Sequence, residues 1–126
     1  MSNRDDSTEL QKVLVTRVKA ATGLEVYDNV PTNASFPYVT FGNITALTAA
    51  SKDVRFFEYS VTLHVWDRSN GTISVRNIMS DITADIDNTT LALTGNNPAA
   101  YFQSATVIKD PDNITNHGVL RFLVKE

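Results

Sequence analysis

From Val54 to Asp67 this chain alternates without interruption. Phe57, Tyr59, Val61, Leu63 and Val65 fall on one side, and Phe56, Glu58, Ser60, Thr62, His64 and Trp66 on the other. A period of two over such a length specifies a strand. The first side is a core face. The second is polar along most of its length, with aromatics at its two ends, as in an antiparallel sheet that meets water or another subunit on one side. A chain built on this strand must supply partner strands and a cover for one face only.

The partners are legible. From Phe36 to Thr45, Val39 and Phe41 point one way, and Tyr38 and Thr40 the other. Tyr101 to Lys109 reads as a strand with Phe102, Ser104, Thr106 and Ile108 on one side and Tyr101, Gln103, Ala105 and Val107 on the other. Gly118 to Val124 is the last strand, after a polar loop from Asp110 to His117. Leu24 to Asp28 and the stretch around Leu91 and Leu93 are short extended pieces. Ala46 to Asp53 has small side chains and no firm period, and reads as a long, mobile hairpin connection, of a kind that either does nothing or carries binding.

The cover is two amphipathic helices. Leu10, Val13, Leu14 and Val18 form the stripe of the first, with Asp6 and Glu9 at capping-box spacing, Ser7 as the other candidate cap, and Gly23 as its stop. Val75, Ile78, Met79, Ile82 and Ile86 form the stripe of the second, which Ser69 can cap and Asn88 can end. Asp81, Asp85 and Asp87 are expected in solvent on its outer side and end. The order α-β-β-β-α-β-β-β, with sequential antiparallel pairings, predicts an α+β fold: a mostly antiparallel sheet with two helices on one face. A length of 126 residues allows one core, so residues 1–126 are expected to form a single domain.

Composition excludes several functions. A net charge of −3 with scattered Lys and Arg gives no basic footprint for nucleic acid or anionic lipid. The absence of cysteine removes thiolate nucleophiles, disulfides and Cys-based zinc sites. The first residues carry no apolar segment of secretory type, and no apolar run approaches the ~18–20 residues of a membrane helix. Asn33, Asn43, Asn70, Asn88 and Asn113 each begin an Asn-x-Ser/Thr triplet, read as composition rather than as glycosylation sites.

Catalytic patterns are missing. There is no Gly-x-Ser-x-Gly elbow and no glycine-rich phosphate loop. His64, His117, Asp110 and Asp112 are residue types that bind metals, but their spacing matches no metal signature, and Asp110-Pro111-Asp112-Asn113 is turn chemistry. No cofactor, metal or catalytic residue is expected. What remains is a surface. Tyr38, Phe56 and Trp66 exceed what a small core needs, and surplus aromatics mark protein interfaces.

Four motifs, in order, carry a resemblance: Val26-Tyr27-Asp28-Asn29-Val30-Pro31; Phe36-Pro37-Tyr38-Val39-Thr40-Phe41-Gly42; Leu63-His64-Val65-Trp66-Asp67-Arg68 before a helix; and Asp110-Pro111-Asp112 leading to His117-Gly118-Val119-Leu120-Arg121-Phe122. Through them the chain resembles the phage tail-completion, or tail-terminator, family once called domain of unknown function 3168, which also occurs in gene transfer agents. The resemblance runs from the first helix to the C-terminus. It implies a non-enzymatic virion protein at the head-proximal end of a tail, assembled in the host cytoplasm. It further implies a ring, usually a hexamer, that caps the tail tube, stops its polymerisation and presents a surface to the head connector. The implied partners are other copies of the chain, the tail-tube protein and the connector, with DNA passing through the lumen unbound and no membrane involved. A head-side adaptor is the neighbouring reading, and a small metal-dependent enzyme the one from another class. The interface residues expected on this reading are Tyr38, Phe56, Glu58, His64 and Trp66 on the strands, Ala49, Ser51 and Lys52 in the connection, and Asp110, Asp112 and His117 at the late hairpin.

Overall fold

The computed structural model describes residues 6–50, 55–94 and 97–125, the side chains of 49–50 and 55–56 excepted. The alternating stretch is strand β3, Arg55–Asp67, at the middle of a six-stranded sheet. Around it, in chain order, lie α1 (Ser7–Thr22), β1 (Val26–Tyr27), β2 (Tyr38–Ala50), α2 (Ile73–Ile86), β4 (Thr89–Thr90), β5 (Ala99–Lys109) and β6 (Asn116–Lys125). The spatial order is β1-β2-β3-β6-β5-β4. Two features depart from sequential antiparallel pairing. The short β1 runs parallel to β2, and β3 takes β6 as its second neighbour, so α2 and the β4–β5 segment leave the sheet and return beside it.

Both helices cover one face. Tyr59, Val61, Leu63 and Val65 of β3 are buried against Leu10, Leu14 and Val18 of α1 and Val75, Met79, Ile82 and Ile86 of α2. Each fully buried Leu, Ile or Val contributes about 1.5–3 kcal/mol of transfer free energy. Phe122 and Leu120 of β6 and Val39 and Phe41 of β2 complete this layer. Gly118 belongs to it too: a β-carbon there would lie 2.5 Å from Met79 Sδ and 3.2 Å from Val75 Cγ2. Its missing side chain is what lets α2 lie close on β6.

Helix ends differ in part from expectation. Gly23 stops α1 in the left-handed region at φ 71°, and its N–H donates to Lys19 O. Asp6 supplies no side-chain cap to α1; its backbone N–H donates to the Tyr59 hydroxyl at 2.8 Å. Glu9 reaches Thr94, accepting from its N–H and hydroxyl, rather than closing a capping box. Helix α2 begins after Thr72, and Ser69 instead donates to Asp67 from its N–H and hydroxyl. Asn88, at φ 60°, follows the last turn of α2 as expected.

Two acidic side chains expected in solvent hold the fold together. Asp85 accepts from Arg17 Nε at 3.1 Å, tying α2 to α1, and Asp87 accepts the backbone N–H of Phe102 at 2.7 Å. Two β-bulges also shift the faces. One lies between Phe41 and Ile44 in β2, the other between Phe102 and Ser104 in β5. The second re-aims a strand whose alternation had been read as unbroken: Phe102, Ala105 and Val107 share the helix side, while Tyr101, Ser104, Thr106 and Ile108 share the other. A bulge inserts one residue and so inverts everything after it.

Most of the expected Ala46–Asp53 connection is strand. β2 continues to Ala50, paired with β3 down to Arg55, so the two strands form an arm running past the end of the β6 pairing at Tyr59. Small residues in an extended ladder have no outward apolar alternation, which is why the strand was not legible. Residues 51–53 lie outside the described residues.

Candidate interface on the helix-free face

The second side of β3 faces away from both helices. Register sets its neighbours: Tyr38 lies opposite Trp66, Thr40 opposite His64, Trp66 opposite His117, and Thr62 opposite Arg121. Three of the expected residues thereby meet across strands. The Trp66 ring stacks on the His117 ring, centroids 3.9 Å apart and planes within 9°. His64 Nδ1 and His117 Nε2 approach to 2.6 Å, a hydrogen bond in which one imidazole donates and the other accepts. Trp66 Nε1–H donates to Thr40 Oγ1 at 3.0 Å.

His117 was expected in the last loop but is in β6, which begins one residue earlier. That placement turns a loop histidine into a sheet residue with a fixed partner. Gly42 makes room on the other side of His64: a β-carbon there would come within 2.6 Å of His64 Nε2. The glycine ending the Phe36–Gly42 motif therefore supports the imidazole pair.

Tyr38 extends the cluster. Its ring lies 5.0 Å from Phe36 and 5.6 Å from Tyr27, and the Arg68 guanidinium sits 4.3 Å above the Phe36 ring. Thr40, Phe36, Tyr27 and Arg68 were missed as site residues. The signal for Thr40 was present, since it shares a side with Tyr38; contact with Phe36 and Arg68 depends on loop geometry that periodicity does not encode.

The remaining expected residues lie apart from this cluster. Glu58 is on the same side of β3, opposite Leu47, in the arm. Phe56 pairs by backbone with Ala49 there; the side chains of both, and Ser51 and Lys52 entirely, lie outside the described residues. Asp110 and Asp112 shape the β5–β6 turn. Asp110 N–H donates to Thr115 O at 2.9 Å. Asp112 accepts from the N–H groups of Ile114 and Thr115 and from the Thr115 hydroxyl. These bonds, the backbone ones foremost, hold its pKa down at about 2. Among the described residues no group of three or more His, Asp or Glu is placed to hold a metal ion.

Burial lowers the pKa of both imidazoles below 6.5. For His64 the neighbouring His117 and Arg121 charges act in the same direction; for His117, Asp110 opposes the shift. A base that resists protonation when folded, but not when unfolded, makes stability depend on pH. That contribution is present above the unfolded value of 6.5 and is lost as pH falls below it. Trp66 is the only tryptophan, so its fluorescence reports the pair directly. Emission is expected to fall only as pH drops below 6.5, where the lowered imidazoles take a proton, and His117→Gln is expected to flatten the response. A pH-independent emission in the unsubstituted protein would contradict this coupling.

The model of the family described as tail completion protein gp17 matches residues 9–125. Among solved structures, the chain is similar to a protein in the virion of a native gene transfer agent particle: TM-score 0.80, 18% identity, covering 92% of each chain. It is also similar to the bacteriophage SPP1 gp17 protein: TM-score 0.63, 21% identity, covering 95% of this chain and 90% of that one. At these identities the likeness is one of fold. No curated protein matches the chain.

Proposed function

The chain belongs to the tail completion protein gp17 family, structural proteins of the phage tail and not enzymes, and from that premise we propose that it caps the head-proximal end of a tail tube. There it stops tube polymerisation and offers the head connector its docking surface, as a closed ring with six copies as the expected number. The observation that carries this is family membership over residues 9–125. The fold is compatible with it. A closed ring of identical subunits joins two unlike sides of each copy, and this sheet has two unlike flanks, β1–β2 and β5–β4. The net charge of −3 leaves little to retain a passing polyanion, because phosphate binding needs cations.

The test is electron microscopy of particles produced with and without the gene. The expected result is tails of abnormal, variable length, unattached to heads. Tails of normal length beside tailless or leaking heads would overturn the capping role and place the protein on the head side of the joint.

A further inference from the structure

The two flanks of the sheet are unusually bare. On the outer side of β2, β1 pairs only with Val39 and Thr40, so residues 41–50 have no outer partner among the described residues. On the outer side of β5, β4 pairs only with Ala99 and Ala100 and the Asp87 carboxylate takes the N–H of Phe102, so residues 103–109 have no outer strand partner either. Exposed edges are ordinarily protected by charge or proline. Residues 41–50 contain neither, and residues 103–109 contain a single charge, Lys109, at the very end. Each carries a bulge, but bulges alone leave most of both ladders open.

Strand direction adds a geometric condition. β2, β3, β6 and β5 are antiparallel neighbours throughout. Four alternating strands end in opposite directions at the two flanks. Rotation about an axis along the strands therefore brings the β2 of one copy antiparallel to the β5 of another, with all helices on the same side. The helix layer has a matching gap. Beyond α2, a groove of about 470 Å³ is lined by Met79, Thr83, Ala84, Phe102, Ala105 and Val107. Phe102 is 40% exposed there. The helix covering the β2 side is α1, so a second copy joined at β5 brings its own α1 towards this groove.

We propose that the occupant of this flank is a second copy of the chain: its β2 adds antiparallel to β5 along residues 103–109, and its α1 closes the α2–β5 groove. The proposal rests on the ring reading and gives that ring its seam. The sheets of successive copies run on as one, and the Trp66–His117 face of every copy lies on the same wall.

The chain has no cysteine, so paired substitutions read the seam without background. Thr45 faces the helix-free side of β2, and Ser104, Thr106 and Ile108 face the same side of β5. Thr45→Cys is combined in turn with Ser104→Cys, Thr106→Cys and Ile108→Cys, spanning the possible registers. Particles carrying each double variant are oxidised, and a second sample is treated with a short bis-thiol crosslinker. The expected result is a ladder of covalent multimers from at least one pair, with no dimer from any single variant. A ring visible by microscopy but no ladder from any pair would overturn the seam and leave the ring standing. Dimers from Thr45→Cys alone would overturn it in favour of a two-fold edge contact. No ring in particles that carry the protein would overturn both readings.

Discussion

Phe122→Ala is expected to remove about 3–5 kcal/mol of unfolding free energy, the range for an aromatic side chain deleted from a core. Phe122 is 2% exposed and lies opposite Val61 of β3 and Phe102 of β5, its ring 6.2 Å from that of Phe102 and edge-on to it. It therefore joins the two halves of the sheet as well as filling the layer beneath the helices. Against a domain stability of roughly 5–15 kcal/mol, this is a large fraction. Urea unfolding followed by far-ultraviolet circular dichroism measures it as a lower midpoint at unchanged slope. Phe122→Leu keeps most of the volume and is expected to cost less than about 1.5 kcal/mol. Equal costs for the two variants would mean that the layer does not close around the ring.

Gly118→Ala is expected to cost about 1–3 kcal/mol by overpacking, an effect no exposed glycine of a strand would show. The added methyl enters the space of Met79 Sδ and comes within 3.2 Å of Val75 Cγ2. Met79→Ala alone leaves a cavity and is expected to cost about 2–5 kcal/mol. The double variant is expected to cost less than the sum, because the alanine at 118 partly fills the space that Met79 vacates. The coupling energy from the four-member cycle, about 0.5–3 kcal/mol for residues in contact, is the quantity to measure. Additive costs would show that α2 does not press on β6 at this point.

The contrast between these two positions shows what the sequence can carry. Phe122 falls within the stretch Gly118 to Val124 that was read as the last strand, although its burial was not assigned from the sequence. Gly118 could be quoted in a motif, but its reason is the height of a helix above another strand, a relation between residues far apart in the chain. Period-two and period-3.6 patterns gave β3, α1 and α2 nearly residue by residue, since burial of one face writes itself into local spacing. The same logic failed in β5, where the bulge after Phe102 inverts the sides, and in residues 46–50, where small residues leave no alternation to read.

The candidate face divides in the same way. His64 and Trp66 were placed on one side of β3 from alternation alone, and Tyr38 on one side of its own strand. Their meeting with His117 required the β3–β6 register, which joins strands separated in the chain by α2, β4 and β5. Asp85 and Asp87 looked like solvated carboxylates because their partners, Arg17 and the Phe102 N–H, are remote in sequence.

The β2–β3 arm runs beyond β6, so its outer part is a two-stranded ladder instead of the interior of a sheet. Two strands alone are marginal in water, and beyond the third strand, among the described residues, only Phe57, packed against the core, ties the arm to the rest of the fold. Substitutions on the helix-free side of the arm are then felt less by folding than by whatever the arm touches. Selection can rewrite that segment to follow a changing neighbour while the sheet behind it stays under constant constraint, which makes the arm the part of this molecule best able to diverge from one particle to the next.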